Sequence, residues 1–269
     1  MKNDLSRARP DGIGTLVEVR GATRRFGGLV AVNDVSFAVQ RGHVFGLIGP
    51  NGAGKSTLFN LITGVLAPSA GDIRFGGAPV GDVPLHRRSA LGMARTFQIV
   101  RVFPGLTVLE NVMMGFHHKL ADGFLRSLMR APTILKDERR LRDEARALLD
   151  FVGLAERADE PIEVLPHGQL RLIEIARALA SEPRLLLLDE PAAGLNEGET
   201  HRLATILGKL NASGLTLLLV EHDIDFVMRL CDRIVVLDHG TKIAEGTPEA
   251  IQSNEQVIEA YLGKRAETC

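Results

Sequence analysis

The sequence contains no tryptophan and a single tyrosine, Tyr261. Its two cysteines, Cys231 and Cys269, offer one possible pair and no metal-binding spacing. That excludes a disulfide framework and a thiolate metal site, and a reducing compartment is the simpler setting. Neither charge is in excess: 32 Lys and Arg against 33 Asp and Glu leave a formal net charge of −1. No basic surplus marks a nucleic-acid binder. The longest apolar runs, such as Leu185–Leu188 and Leu215–Val220, fall far short of the roughly 20 residues that cross a bilayer. Residues 1–14 are polar and charged, lack the apolar core of a secretory signal, and read as a loose tail. What is present is ample core material, with 45% hydrophobic residues in 269. The length fits one large domain or two fused lobes.

Leu16–Arg20 alternates apolar and polar residues, and Val35–Val39 and Ile73–Phe75 read the same way between glycine-rich turns. These predict an antiparallel sheet. His43–Ile48 is more continuously apolar and runs into a glycine loop, as a buried parallel strand does. A helix is expected over Ser56–Thr63, closed by Gly64. From Pro132 to Gly153, charged residues interleave with Leu135, Leu141, Ala145, Leu148, Leu149 and Val152 at amphipathic-helix spacing. Lys136–Arg146 then forms a solvated face. A second helix spans Leu170–Ala180, and another lies near Glu199–Leu210 between buried strands at Leu185–Leu188 and Leu217–Val220. Ile234–Leu237 and Lys242–Ala244 pair as a hairpin across Asp238–Thr241.

Gly49-Pro50-Asn51-Gly52-Ala53-Gly54-Lys55-Ser56-Thr57 fits the P-loop pattern G-x-x-x-x-G-K-[ST] and lies between a predicted strand and helix. Its glycines let backbone N–H groups converge on phosphate oxygens, and the helix N-terminus adds favourable dipole charge. Lys55 is expected to reach the β- and γ-phosphates of ATP, Ser56 to bind Mg²⁺, and Thr57 to assist at the phosphates. Leu185–Leu188 is followed by Asp189 and Glu190, two carboxylates at the C-terminal end of a buried strand, where open α/β sheets bind ligands. Asp189 suits the Mg²⁺ shell, and Glu190 is placed as general base toward the attacking water.

Leu165-Pro166-His167-Gly168-Gln169, followed by the helix from Leu170, resembles the signature motif of ABC-transporter ATPases. The resemblance covers about residues 16–263 and implies a fold: an α/β P-loop (RecA-like) core with a parallel sheet, an N-terminal antiparallel β-subdomain and an inserted helical subdomain. The implied boundaries are a tail at 1–14 and one ATPase domain at 15–265. Within it, 15–97 and 181–250 form the core with the β-subdomain, and 98–180 the helical subdomain; 251–269 is a C-terminal helix and tail. It also implies site residues. Phe26 is similar to the aromatic that stacks on adenine. Gln98 is similar to the Q-loop glutamine that touches Mg²⁺ or water. Gly194-Leu195-Asn196 resembles the D-loop, and His222 the switch histidine at the γ-phosphate. Gly168 and Gln169 are expected to grip ATP held by a second ATPase subunit. The departure is Pro166 and His167, where the family usually has serine and glycine. Pro166 brings no hydroxyl and no N–H, so the grip is expected from the Gly168 N–H and the helix N-terminus near Gln169.

The insert at Met113–Arg142, the Ala192-Ala193-Gly194-Leu195-Asn196 form and the ending from Glu245 resemble the LivG-type ATPases of branched-chain amino acid importers. That implies a peripheral subunit on the cytoplasmic face of the inner membrane, paired with a second ABC ATPase, identical or related. Integral-membrane permease subunits and no nucleic acid are the implied partners. Phe103, Leu106 and Val108 are candidates for the permease-facing surface. ATPases of urea or short-chain amide importers share much of the pattern. A soluble ABC ATPase acting on ribosomes or DNA is a further alternative, but those relatives carry two cassettes or a long coiled coil. A non-hydrolysing regulator is disfavoured by the presence of Glu190.

Overall fold

The computed structural model describes residues 14–96, 101–116 and 133–262. In chain order the elements are β1 (Thr15–Phe26), β2 (Leu29–Gln40), β3 (Val44–Ile48), α1 (Lys55–Thr63), β4 (Ala70–Phe75), β5 (Ala78–Pro79), α2 (Leu85–Ala90) and β6 (Met93–Arg95). Then follow α3 (Val108–Met113), α4 (Thr133–Phe151), α5 (His167–Leu179), β7 (Leu185–Asp189), α6 (Glu197–Ala212) and β8 (Thr216–Val220). The chain closes with α7 (Ile224–Leu230), β9 (Arg233–Asp238), β10 (Thr241–Gly246), α8 (Pro248–Gln252) and α9 (Glu255–Leu262). The chain divides into two compact units, one running to Arg88 and resuming at Leu207, the other spanning Ser89–Ile206.

In the first unit, an antiparallel sheet has the order β2-β1-β4-β5. Its long strands bury Leu16, Val17, Val19 and Ala22 on β1 and Val32, Val35, Phe37 and Val39 on β2, with register shifts breaking a strict alternation. Beside it, β3 pairs in parallel with β8 and with β9, and β10 closes the edge antiparallel to β9. All five residues of β3 and of β8 are buried, which is why β3 and Leu217–Val220 of β8 read as apolar runs. The β9–β10 hairpin turns on His239 and Gly240, both at positive φ, the backbone that a two-residue hairpin needs. Helix α1 buries Leu58, Phe59, Leu61 and Ile62 and ends at Gly64 in the left-handed conformation, as expected.

The second unit holds a parallel pair, β6 with β7, and the helices α3, α4 and α5. In α4, Leu141, Ala145 and Leu149 are buried while Arg140, Arg142 and Arg146 face outward, the amphipathic division read from the sequence. Helix α3 opens with a reciprocal cap: the Thr107 side chain accepts from the Glu110 N–H, and the Glu110 carboxylate accepts from the Thr107 N–H. Helix α5 begins at His167, three residues before the expected Leu170. Pro166, at φ −60, acts as its N-cap residue without a side-chain hydrogen bond. Arg88 was not singled out from the sequence. It is wholly buried and donates to the carbonyl oxygens of Val83, Leu61, Ile62, Val80 and Gly81.

Candidate functional site

In the first unit, β3 delivers the chain directly into the P-loop, and helix α1 starts at Lys55. Gly54, the residue before the helix, has φ +95 and offers no side-chain cap. The first-turn N–H groups therefore keep their capacity for a phosphate. A Cβ on Gly54 would collide with the Ala31 carbonyl at the start of β2, so only glycine lets the loop lie this close to the β1–β2 hairpin. Lys55 is buried, and its ammonium donates to the carbonyl oxygens of Gly49 at 2.7 Å and Pro50 at 2.9 Å. Ser56 is exposed and Thr57 half-buried at the mouth of the loop. Phe26 stands at the tip of the β1–β2 hairpin, exposed, with the Arg24 guanidinium 4.7 Å above its ring.

Strands β3 and β8 run side by side with Leu47 opposite Val220. Gly49 and His222 therefore leave the sheet at the same, C-terminal end. The His222 side chain is exposed, while Glu221 before it is completely buried. The Glu221 carboxylate accepts from the His222 N–H at 3.0 Å and lies 3.7 Å from its Nδ1. Glu221 was overlooked in the sequence, where its signal was a carboxylate closing a buried apolar strand. Tyr261 on α9 was also given no role. Its hydroxyl is buried and faces the Gly49 backbone without a hydrogen bond of normal geometry; burial pushes the phenol up to about 12.

In the second unit, Asp189 ends β7, and Glu190 follows at φ +46, a left-handed conformation that a non-glycine side chain holds at a cost. The Arg95 guanidinium, one strand over on β6, lies 2.9 Å from the Asp189 carboxylate. Burial raises the Asp189 carboxyl above its ordinary value, and Arg95 works against that rise. Gly168 and Gln169 sit in the first turn of α5. The Gln169 N–H is donated to the Pro166 carbonyl at 2.9 Å. Of the pair named for the cross-subunit grip, the Gly168 N–H is thus the one without that internal bond. A Cβ on Gly168 would meet the Glu199 carboxylate, and the same carboxylate accepts from the Asn196 N–H at 3.0 Å. The signature loop and the 194–199 segment are thus packed together. Val108 is fully buried and Leu106 half-buried, so of the three residues named for a permease surface only Phe103 is exposed, with Arg177 5.4 Å over its ring. Val108 packs inward because it begins the buried face of α3. Gln98 lies outside the described residues.

A family model described as ABC transporter matches residues 32–193, a stretch holding the P-loop, the signature and the Asp189-Glu190 pair. The chain belongs to the ABC transporter family. A second model, described as branched-chain amino acid ATP-binding cassette transporter, matches residues 241–267 of the cassette. The cassette is 44% identical to the high-affinity branched-chain amino acid transport ATP-binding protein BraF of Pseudomonas aeruginosa, covering 93% of this chain and 98% of that one. It is 42% identical to LivG of Escherichia coli strain K12, with the same coverage. The solved structure of the ADP conformation of MJ1267, an ATP-binding cassette of an ABC transporter, superposes with a TM-score of 0.81 at 34% identity, covering 93% of this chain and 99% of that one. The protein is therefore an ATP-binding, ATP-hydrolysing transporter cassette with the expected α/β fold. Among the described residues, no helix is long and apolar enough to cross a membrane.

Proposed function

We propose that this cassette energises import of branched-chain amino acids through integral-membrane permease subunits, working at the cytoplasmic face of the membrane as one of two paired ATPases. The observation that carries the reading is in the C-terminal segment. Residues 241–267 match the branched-chain cassette model, and within that segment the buried Tyr261 hydroxyl faces the Gly49 backbone of the P-loop. The segment characteristic of this transporter group is therefore in touch with the nucleotide loop.

In the proposed mechanism Phe26 stacks on adenine. The backbone from Gly49 to Gly54, with Lys55 and Thr57, holds the phosphates, and Lys55 exchanges its two carbonyl partners for phosphate oxygens. The Ser56 hydroxyl and the Asp189 carboxylate are hard oxygen donors, and Ser56 is exposed to reach an incoming cation, so these residues fit Mg²⁺. They and Gln98 would hold it, and the ion would supply charge neutralisation for the transferred phosphoryl group. Glu190 takes the proton of the attacking water. His222 contacts the γ-phosphate, its backbone fixed by buried Glu221. Gly168 and Gln169 meet the ATP of the paired subunit. In this division of labour residues 15–97 and 181–250 carry the P-loop, Asp189, Glu190 and His222, and 98–180 carries Gln98, the signature residues and the permease contact. Nucleotide-driven closure of the pair is a population shift toward the state that ATP prefers.

A pull-down of this chain from detergent-solubilised native membranes tests the reading. Two polytopic subunits and a second, shorter ATPase are expected. An exporter subunit would reverse the direction of transport. Ribosomal or DNA-repair proteins without a membrane partner would overturn the transport assignment.

A further inference from the structure

Two cations have a claim on one carboxylate. Arg95 and Asp189 sit on neighbouring parallel strands, with Arg95 paired to Leu187, two residues before Asp189. The guanidinium lies 2.9 Å from Asp189 Oδ2, and the two side chains are only 11% and 10% exposed. The backbone around the pair is pinned, because the Thr96 N–H donates to the Leu187 carbonyl at 2.9 Å. Glu190 and Arg171 are the other charged groups that act on Asp189. Arg171 pairs with Glu174 at 3.1 Å, and Arg95 is in direct contact with Asp189.

We propose that Arg95 is a resident counter-cation that competes with Mg²⁺ for Asp189 and must give up part of that contact when the metal–nucleotide complex binds. This rests on Asp189 being a cation ligand. The physical case is direct. A carboxylate engaged by a guanidinium has less negative potential for a second cation, and two cations a few ångströms apart repel strongly where water is scarce. The pair also has a benefit in the absence of metal, since a buried carboxylate without a partner is costly. Arg95 is thus a positioning residue: it holds the Asp189 carboxylate aimed between turnovers, and it sets how tightly the divalent cation is taken.

The experiment is Mn²⁺ binding to the full chain in the presence of ADP, followed by electron paramagnetic resonance, so that no turnover is read. Arg95→Gln keeps a hydrogen-bond donor and removes the charge; it is expected to bind Mn²⁺ about tenfold tighter, the size of one charged hydrogen bond. Arg95→Lys keeps the charge and is expected to stay near the parent. Unchanged or weaker Mn²⁺ binding by Arg95→Gln overturns the proposal. If that variant does not fold, guanidinium NMR of the parent decides: Mg²⁺ with ADP must shift the Arg95 signal, and no shift overturns it. The parent and Asp189→Asn separate the two levels of the argument. Mn²⁺ binding that ignores Asp189→Asn sinks the metal-ligand reading, whereas binding that needs Asp189 but ignores Arg95 sinks only the competition.

Discussion

The Lys55 ammonium is folded back onto its own loop, 2.7 Å from the Gly49 carbonyl oxygen and 2.9 Å from that of Pro50. Two strong acceptors hold the charge in a buried place, and in the proposed mechanism phosphate oxygens replace them. Lys55→Ala removes the cation meant for the β- and γ-phosphates. A charged hydrogen bond is worth about 1.5–3 kcal/mol, so the affinity for a fluorescent ATP analogue is expected to fall roughly 10- to 100-fold. Affinity within twofold of the parent would remove Lys55 from the phosphate site.

Because the chain has one tyrosine and no tryptophan, the phenolate absorbance of the protein reports Tyr261 alone. Burial lifts the native phenol from 10 to about 12. A raised folded value means that the native state favours the neutral phenol. Its stabilising contribution is complete below pH 10 and is lost as pH rises from 10 toward 12. The native titration is expected near 12 and the denatured one near 10. Coincident native and denatured midpoints would place Tyr261 in solvent, away from Gly49.

Arg88 satisfies five backbone carbonyls, two of them, Leu61 and Ile62, in the last turn of the P-loop helix. Burial pulls its guanidinium down to about 10, still charged at neutral pH. Arg88→Met removes these donors; the Leu61 and Val80 carbonyls still accept from the Gly64 and Val83 N–H groups, while the others lose a buried partner. Urea unfolding is expected to show a loss of about 2–4 kcal/mol, since a buried acceptor left without its partner costs about 1–3 kcal/mol. A loss below about 1 kcal/mol would show that solvent or rearrangement satisfies the carbonyls.

Glu190 holds a left-handed backbone at φ +46 directly after the Asp189 strand. As the proposed base, its replacement in Glu190→Gln is expected to lower ATP hydrolysis by about 10²- to 10⁴-fold while ATP remains bound. Steady-state turnover equal to the parent would refute the assignment.

Pro166 caps α5 without any side-chain hydrogen bond, and the Gln169 N–H is already donated to its carbonyl. Pro166→Ser supplies a hydroxyl at the first turn, worth about 1 kcal/mol as a cap. ATPase activity is expected to rise less than about tenfold if, as proposed, the Gly168 N–H carries the grip. A rise of a hundredfold would show that the proline had disabled the signature.

Local pattern decided much of this protein. The P-loop between a strand and a helix, the buried apolar runs of β3, β7 and β8, the amphipathic face of α4 and the β9–β10 hairpin were all legible, because each is written in residues adjacent or at fixed period along the chain. So were Lys55, Asp189, Glu190 and His222 as candidates, since a motif names its residues by spacing. Three contacts at the site were not legible. Arg95 on Asp189, Tyr261 beside Gly49 and Glu199 against Gly168 join residues 94, 212 and 31 positions apart in the chain. Sequence alone also left open that Val108 turns inward while Phe103 stays outside. Those facts depend on which elements pack together and at what register, and no local period encodes that. Chemistry at the P-loop was thus determined by short-range sequence. What holds each reactive group in place was decided by tertiary contacts, because burial and charge pairing exist only once distant segments meet.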